Sequence, residues 1–353
     1  MTAKEIVKAI DDKTPGSLGL MPTYGAFYCA HKILERIRVN KTFKRKHPKK
    51  VFLPPEIKEA AKGFYVPNIS GKENDYTMEV IEFAFKMRGI VSDEAINTLY
   101  RNLETVKLID KEIKRDPLRS YDIGGYYSAV RNLIRINPSS PNFKNNLFHE
   151  LMHLSSSYVY NDRFCCGFKQ FNMKEEESFG EGLNEGYTEL LCNRYFGINL
   201  EDTWYAFEVN IARLLEKIVG KKLMEKSYFR ADIKAVIDKL KEYAPLDEIM
   251  NFICKLDYIL AYARNDEKHI GIEKKNVIAV REVSLFLLKI YGVKLLKDDI
   301  DKYSKENLYY SFVDFREQLE DPYSNFQCIE NETADSIINE FYIYLNEAKG
   351  RQK

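Results

Sequence analysis

The residues that carry the most chemical meaning in this chain are also its scarcest. There are five histidines, at 31, 47, 149, 153 and 269, and two of them stand four apart in His149-Glu150-Leu151-Met152-His153. Four residues make about one helical turn. On a helix, therefore, both imidazoles project from one side and can grip a single ion, while Glu150 stands beside that ion without ligating it. A carboxylate so placed can act as a general base. At this histidine frequency the H-E-x-x-H spacing arises by chance in about one chain in a hundred or fewer.

An acidic pair follows in Leu183-Asn184-Glu185-Gly186-Tyr187-Thr188-Glu189-Leu190, where Glu185 and Glu189 share one face of another predicted helix. With this pair the sequence resembles the gluzincin metallopeptidases, the thermolysin-like clan. In that clan the third zinc ligand is the Glu of an N-E-x-x-x-[DE] helix downstream of H-E-x-x-H. The match spans roughly residues 120 to 197, a little over a fifth of the chain. The resemblance implies one zinc ion (Zn2+) per chain held by His149, His153 and Glu185, Glu150 as the catalytic general base, and Glu189 as a carboxylate on the second ring nitrogen of a ligand histidine.

The activity implied is zinc-dependent hydrolysis of peptide bonds. Three protein ligands leave one position open, and zinc lowers the pKa of a water there far below its value in bulk, towards about 7. Glu150 would take the proton and deliver it to the leaving amine. In related zincins an edge strand before the metal helix holds the substrate backbone extended, which here means one of two strands within Asp122 to Asn137. The oxyanion donor is a His or Tyr in many relatives and stays open among His269, Tyr158, Tyr160 and the C-terminal tyrosines. The longer metzincin pattern does not fit, because Ser156 and Val159 stand where its Gly and His would be.

These side chains need elements to hold them. Ser139-Ser140-Pro141 predicts a helix start, with the Ser140 hydroxyl accepting an orphan N–H and proline in the first helical position. That helix should run to about Ser156 and bury the stripe Phe143, Leu147, Leu151 and Leu154, leaving the neighbouring face for chemistry. Ahead of it, residues 121–137 read as a hairpin or pair of strands. A polar and aromatic stretch from 161 to 181 holds a second hairpin near Cys166 to Phe171, and the helix bearing Glu185 runs from about Gly182 to Phe196. Helical spacing also marks residues 3–11, 24–38, 76–88, 92–115, 203–219, 230–243, 246–264, 273–291 and 333–348. The expected fold is α+β, mostly α: a zincin-like core of a small sheet, the H-E-x-x-H helix and the third-ligand helix, with helical extensions on both sides. The divisions fall at 1–119, a helical N-terminal region with a basic segment; 120–200, the metal-binding core; and 201–353, a helical C-terminal region.

Composition bounds the class. The chain has 353 residues, 45% hydrophobic and 30% charged, with a net charge of +1, and its 24 Tyr and 21 Phe are far too many for a disordered chain. No apolar stretch approaches the roughly 18 residues of a membrane-spanning helix. The N-terminus has no apolar signal core, and the cysteines at 29, 165, 166, 192, 254 and 328 include no C-x-x-C pair, so a cytoplasmic protein with reduced, packed thiols is expected. Between Lys32 and Lys50 the basic residues, among them Lys44, Arg45 and Lys46, face a single acid, Glu35. This run reads as a solvated loop behind a helix end, because no nucleic-acid motif accompanies it. The expected partner is a peptide or protein substrate, and nucleic acid is not expected. Two alternatives to the enzyme stand beside it: a catalytically silent zinc-binding interaction protein or effector, and a nucleic-acid or membrane-surface binding module using the basic 32–50 run. An intact Glu150 favours the enzyme, since a protein that only binds needs no base beside the ion.

Overall fold

A computed structural model of the chain describes residues 65–67, 73–88, 90–110, 124–129, 131–160, 163–172, 177–200, 203, 205–263, 270–320 and 328–350. The helices read at 3–11 and 24–38 and the basic run at 32–50 lie outside the described residues. A two-stranded antiparallel pair comes first, β1 (Tyr65–Pro67) and β2 (Glu73–Asp75), followed by helices α1 (Thr77–Arg88) and α2 (Asp93–Leu103). Ser92 caps α2 by accepting the Ala95 N–H.

The periodicity at 92–115 suggests one long helix, but α2 stops at Leu103 and the chain enters strand β3 (Lys107–Asp110). Along β3 exposed Lys107 and Ile109 alternate with buried Leu108 and Asp110, the period of a half-buried strand. Its partner is remote. β3 pairs in parallel with β5 (Leu133–Ile136), which pairs antiparallel with β4 (Gly125–Ser128) as the hairpin reading requires, giving the order β3-β5-β4.

Helix α3 (Phe143–Ser155) bears the H-E-x-x-H segment, with Leu147, Leu151 and Leu154 fully buried. It begins later than Ser140-Pro141 suggests. Asn142 stands at its N-cap without a side-chain hydrogen bond, and the Ser140 hydroxyl instead accepts from Asn146 Nδ2 at 2.9 Å. Next comes a meander of four antiparallel strands, β6 (Ser157–Tyr160), β7 (Arg163–Cys166), β8 (Lys169–Asn172) and β9 (Glu177–Phe179), of which the sequence pattern shows only the β7–β8 hairpin. Helix α4 (Glu181–Phe196) follows and carries Glu185 and Glu189.

The remainder is helical: α5 (Ala206–Val219), α6 (Lys221–Phe229), α7 (Ile233–Leu240), α8 (Leu246–Ala263), α9 (Ile270–Lys294) with a π turn at Leu295–Asp299, α10 (Lys305–Gln318) and α11 (Asn331–Gly350). The segment 230–243 is not one helix. Ala231 takes a positive φ of 52°, Asp232 caps α7 by accepting from the Ala235 N–H, and the helix is over by Leu240. The fold is thus α+β and mostly α. One hydrophobic cluster runs from Tyr76 through Leu345, so helices on both sides of the motif region share its core. Phe83, Phe148 and Phe196 meet within it at centroid distances of 4.8–5.6 Å, locking α1, α3 and α4 together. Among the described residues no helix is long and apolar enough to cross a membrane. The described cysteines, Cys165, Cys166, Cys192, Cys254 and Cys328, are free thiols.

Candidate metal centre

Every residue of α3 from Leu147 to Ser155 is buried, including His149, Glu150 and His153. Polar side chains in such a place are costly unless partnered, and the surrounding elements supply the partners. Asn102 of α2 donates to Leu154 O at 2.8 Å and to Ser157 O at 2.9 Å, satisfying carbonyls where α3 ends. Helix α4 is fastened at both ends. Asp257 of α8 accepts the N–H groups of Gly180 at 2.8 Å and Gly182 at 2.7 Å, and at the other end Arg194 forms a two-pronged pair with Glu216 while Tyr187 donates to the same carboxylate. Its middle lies against α5 so closely that a Cβ on Gly186 would sit 2.3 Å from the Glu208 carbonyl oxygen.

Between α3 and α4 three side chains converge. His149 Nε2 and His153 Nε2 are 2.9 Å apart, and Glu185 Oε2 lies 3.2 Å from the first and 3.5 Å from the second. The three ligand atoms all lie within 4.8 Å of one another and each residue is buried, so this group could hold a metal ion. Glu189 stands behind it with Oε1 3.2 Å from His149 Nδ1. The Tyr205 ring stacks on His149 with centroids 5.9 Å apart.

The Nδ1 side of His153 faces Asn184 Nδ2 at 3.3 Å and Thr188 Oγ1 at 3.4 Å. The Asn184 amide is oriented by the turn between β7 and β8. There Gly167 adopts a φ of 54°, and the Phe168 N–H reaches Asn184 Oδ1 at 3.0 Å. No larger residue fits, because a Cβ at Gly167 would lie 2.1 Å from that oxygen.

Glu150 turns towards the sheet. The Asn137 N–H donates to Gly124 O at 2.8 Å, and alternation along β4 then directs the Tyr127 N–H away from β5, to the outer edge of the sheet formed by the described residues. The Glu150 carboxylate accepts that N–H.

Burial and neighbouring charge set the proton affinities. Burial pushes the Glu150 carboxyl up to about 8; His149 and the Tyr127 N–H oppose the rise, and Glu185 and Glu189 add to it. For His149 burial disfavours the charged form, but Glu189 and Glu185 outweigh it and hold the pKa well above the usual histidine range. For His153 burial wins over Glu185 and lowers the pKa.

The structure therefore brings His149, Glu150, His153, Glu185 and Glu189 to one place. Tyr158 is not among them: its hydroxyl donates to Phe229 O at 2.7 Å and lies 2.9 Å from Thr98 Oγ1. His269 and the side chain of Tyr160 lie outside the described residues. Sequence reasoning missed Asn184, Thr188, Tyr228 and Asp257. The first two share a face of α4 at i, i+4 spacing, a signal available beside Glu185; the others come from distant helices and leave no local mark. No protein-family model, curated protein or solved structure matches the chain.

Proposed function

We propose that the chain is a zinc metallopeptidase that hydrolyses peptide bonds with His149, His153 and Glu185 as metal ligands and Glu150 as general base. The observation that carries this reading is the donor triangle. Tetrahedral zinc with bonds of about 2.0–2.2 Å to nitrogen and oxygen places its ligand atoms about 3.3 Å apart. The separations here are 2.9, 3.2 and 3.5 Å. Two imidazoles and one carboxylate are also the donor set of a catalytic site that keeps a position open, whereas closed structural sites use four protein ligands.

A zinc ion held there would supply Lewis acidity towards a carbonyl oxygen and towards water near neutral pH. The protein's own groups do the rest. Glu150, drawn back to its ionised form by a nearby cation, takes a proton from the attacking water and returns it to the departing amine nitrogen. Glu189 orients the His149 ring from behind. The outer edge of β4, whose Tyr127 N–H meets Glu150, is where an extended peptide would add as a further strand, with its backbone alongside the base.

Elemental analysis of the purified protein should give about one zinc per chain. His149→Ala and Glu185→Ala should lose it, and Glu150→Gln should keep it. On a mixed peptide library Glu150→Gln should cleave roughly 10²- to 10⁴-fold more slowly than wild type. Equal cleavage by Glu150→Gln would sink the mechanism, and zinc binding by a wild type that cleaves nothing would favour the silent zinc-binding alternative.

A further inference from the structure

The Nδ1 atom of His153 is flanked by groups of opposite hydrogen-bonding character. Asn184 presents a donor: its Oδ1 is committed to the Phe168 N–H, which leaves its amide hydrogens facing the ring at 3.3 Å. Thr188 presents an acceptor. Its hydroxyl has a single proton, and the Asn184 carbonyl at 2.7 Å, which can only accept, takes it. Tyr228 OH, also 2.7 Å from Thr188 Oγ1, must then donate to it. One Thr188 lone pair is left for His153 at 3.4 Å.

A histidine that binds a metal through Nε2 carries its remaining proton on Nδ1 and needs an acceptor there. Asn184, held as it is by Phe168, cannot provide one. Thr188 can. We propose that Thr188, its hydroxyl proton held by the Asn184 carbonyl, is a positioning residue that accepts the Nδ1–H of His153 and so selects the ring tautomer whose Nε2 is free to bind the ion. The inference rests on the zinc reading of the same site and adds a second oriented histidine to the pair, opposite the carboxylate behind His149. Thr188, Tyr228 and Asn184 are all essentially sealed from solvent, so water cannot substitute for the hydroxyl.

The experiment is a zinc titration of the full chain against a chromophoric chelator, after metal removal, for wild type, Thr188→Val, Thr188→Ala, Thr188→Ser and Tyr228→Phe. Thermal unfolding without metal and histidine ¹⁵N–¹H spectra of the zinc-loaded, ¹⁵N-histidine-labelled proteins accompany it. Thr188→Val preserves shape and removes the acceptor, and should weaken zinc binding about tenfold or more. Thr188→Ser should bring it back to within about threefold of wild type. Tyr228→Phe leaves the Thr188 proton on the Asn184 carbonyl and should keep zinc binding within about threefold of wild type, whereas Thr188→Ala removes the same acceptor as Thr188→Val and carries the test if Thr188→Val does not fold. Zinc-loaded wild type should show a sharp His153 Nδ1–H signal that broadens or shifts in Thr188→Val. A purely structural role would lower the melting temperature without changing zinc affinity. Folded Thr188→Val or Thr188→Ala that binds zinc within twofold of wild type overturns the inference while leaving the metallopeptidase reading intact. Failure of the wild type itself to bind zinc overturns both.

Discussion

Gly186 sits between two demands, next to a proposed ligand on α4 and against the backbone of α5, and Gly186→Ala tests whether the site depends on that approach. The added Cβ would lie 2.3 Å from both the carbonyl carbon and the carbonyl oxygen of Glu208. Ordinary contact begins at 3.4 Å, so the helices must part by 3.4 − 2.3 = 1.1 Å. The obstacle is main chain and cannot rotate aside. Alanine gains about 1 kcal/mol over glycine in helix propensity, whereas overpacking costs about 1–3 kcal/mol and more where backbone must move. Because α4 is tied at one end by Asp257 and at the other by Arg194, it must bow rather than slide. A net loss of about 2 kcal/mol is expected, read as a lower urea midpoint. Zinc affinity should fall with it, since metal sites tolerate ligand displacements of only about 0.2 Å. Gly186→Ala with a midpoint equal to or above that of wild type would refute the close approach of α4 and α5 on which the placement of Glu185 depends.

Three further outcomes can be measured by unfolding. Burial pushes the Asp257 carboxyl up to about 7, against the N–H groups of Gly182 and Gly180; its contribution to stability is therefore fully present below about pH 4, declines as pH rises, and is gone above about pH 7. Because Asp257 is only half-buried by surface exposure, the loss should be on the order of 1–3 kcal/mol, and Asp257→Asn should lack this decline; parallel pH profiles for the two proteins would contradict the assignment. Glu216→Ala removes the two-pronged partner of Arg194 and the acceptor of the Tyr187 hydroxyl, and should cost about 2–3 kcal/mol, with an unchanged melting curve counting against it. Asn102→Ala should cost about 2–3 kcal/mol by leaving the carbonyls of Leu154 and Ser157 without their donor, whereas a surface residue would cost under about 0.5 kcal/mol.

The parts of the molecule legible in its sequence are those whose cause is local. His149 and His153 lie one helical turn apart on a helix with a strong apolar stripe, and Glu185 and Glu189 repeat the device, so helix geometry alone places each pair. That the two pairs face each other depends on core packing, through Phe83, Phe148 and Phe196, and no short-range pattern encodes it. β3 was hidden for the same reason: Lys107 to Asp110 pairs in parallel with residues that lie beyond β4. The β7–β8 hairpin was visible because Gly167 marks its turn, but the use of that glycine, leaving room for the Asn184 amide, was not. Ser140-Pro141 misled because a cap signal acts only if the chain beyond it is already helical, and here the Ser140 hydroxyl is taken by Asn146.

The edge of β4, which no other strand pairs among the described residues, has a consequence for the protein's solubility. A sheet edge open enough to receive a peptide is also open to the same edge of another copy, and unprotected edges of this kind seed aggregation. β4 is four residues long, and of its outward N–H groups the one on Tyr127 is already occupied by Glu150. Any added strand, a peptide or a second copy, would have to do without the Tyr127 N–H or displace a buried carboxylate. Glu150 thus shortens the pairing surface that β4 offers to either, and Glu150→Ala should raise the tendency of concentrated protein to aggregate more than Glu150→Gln, whose amide oxygen can still accept the Tyr127 N–H.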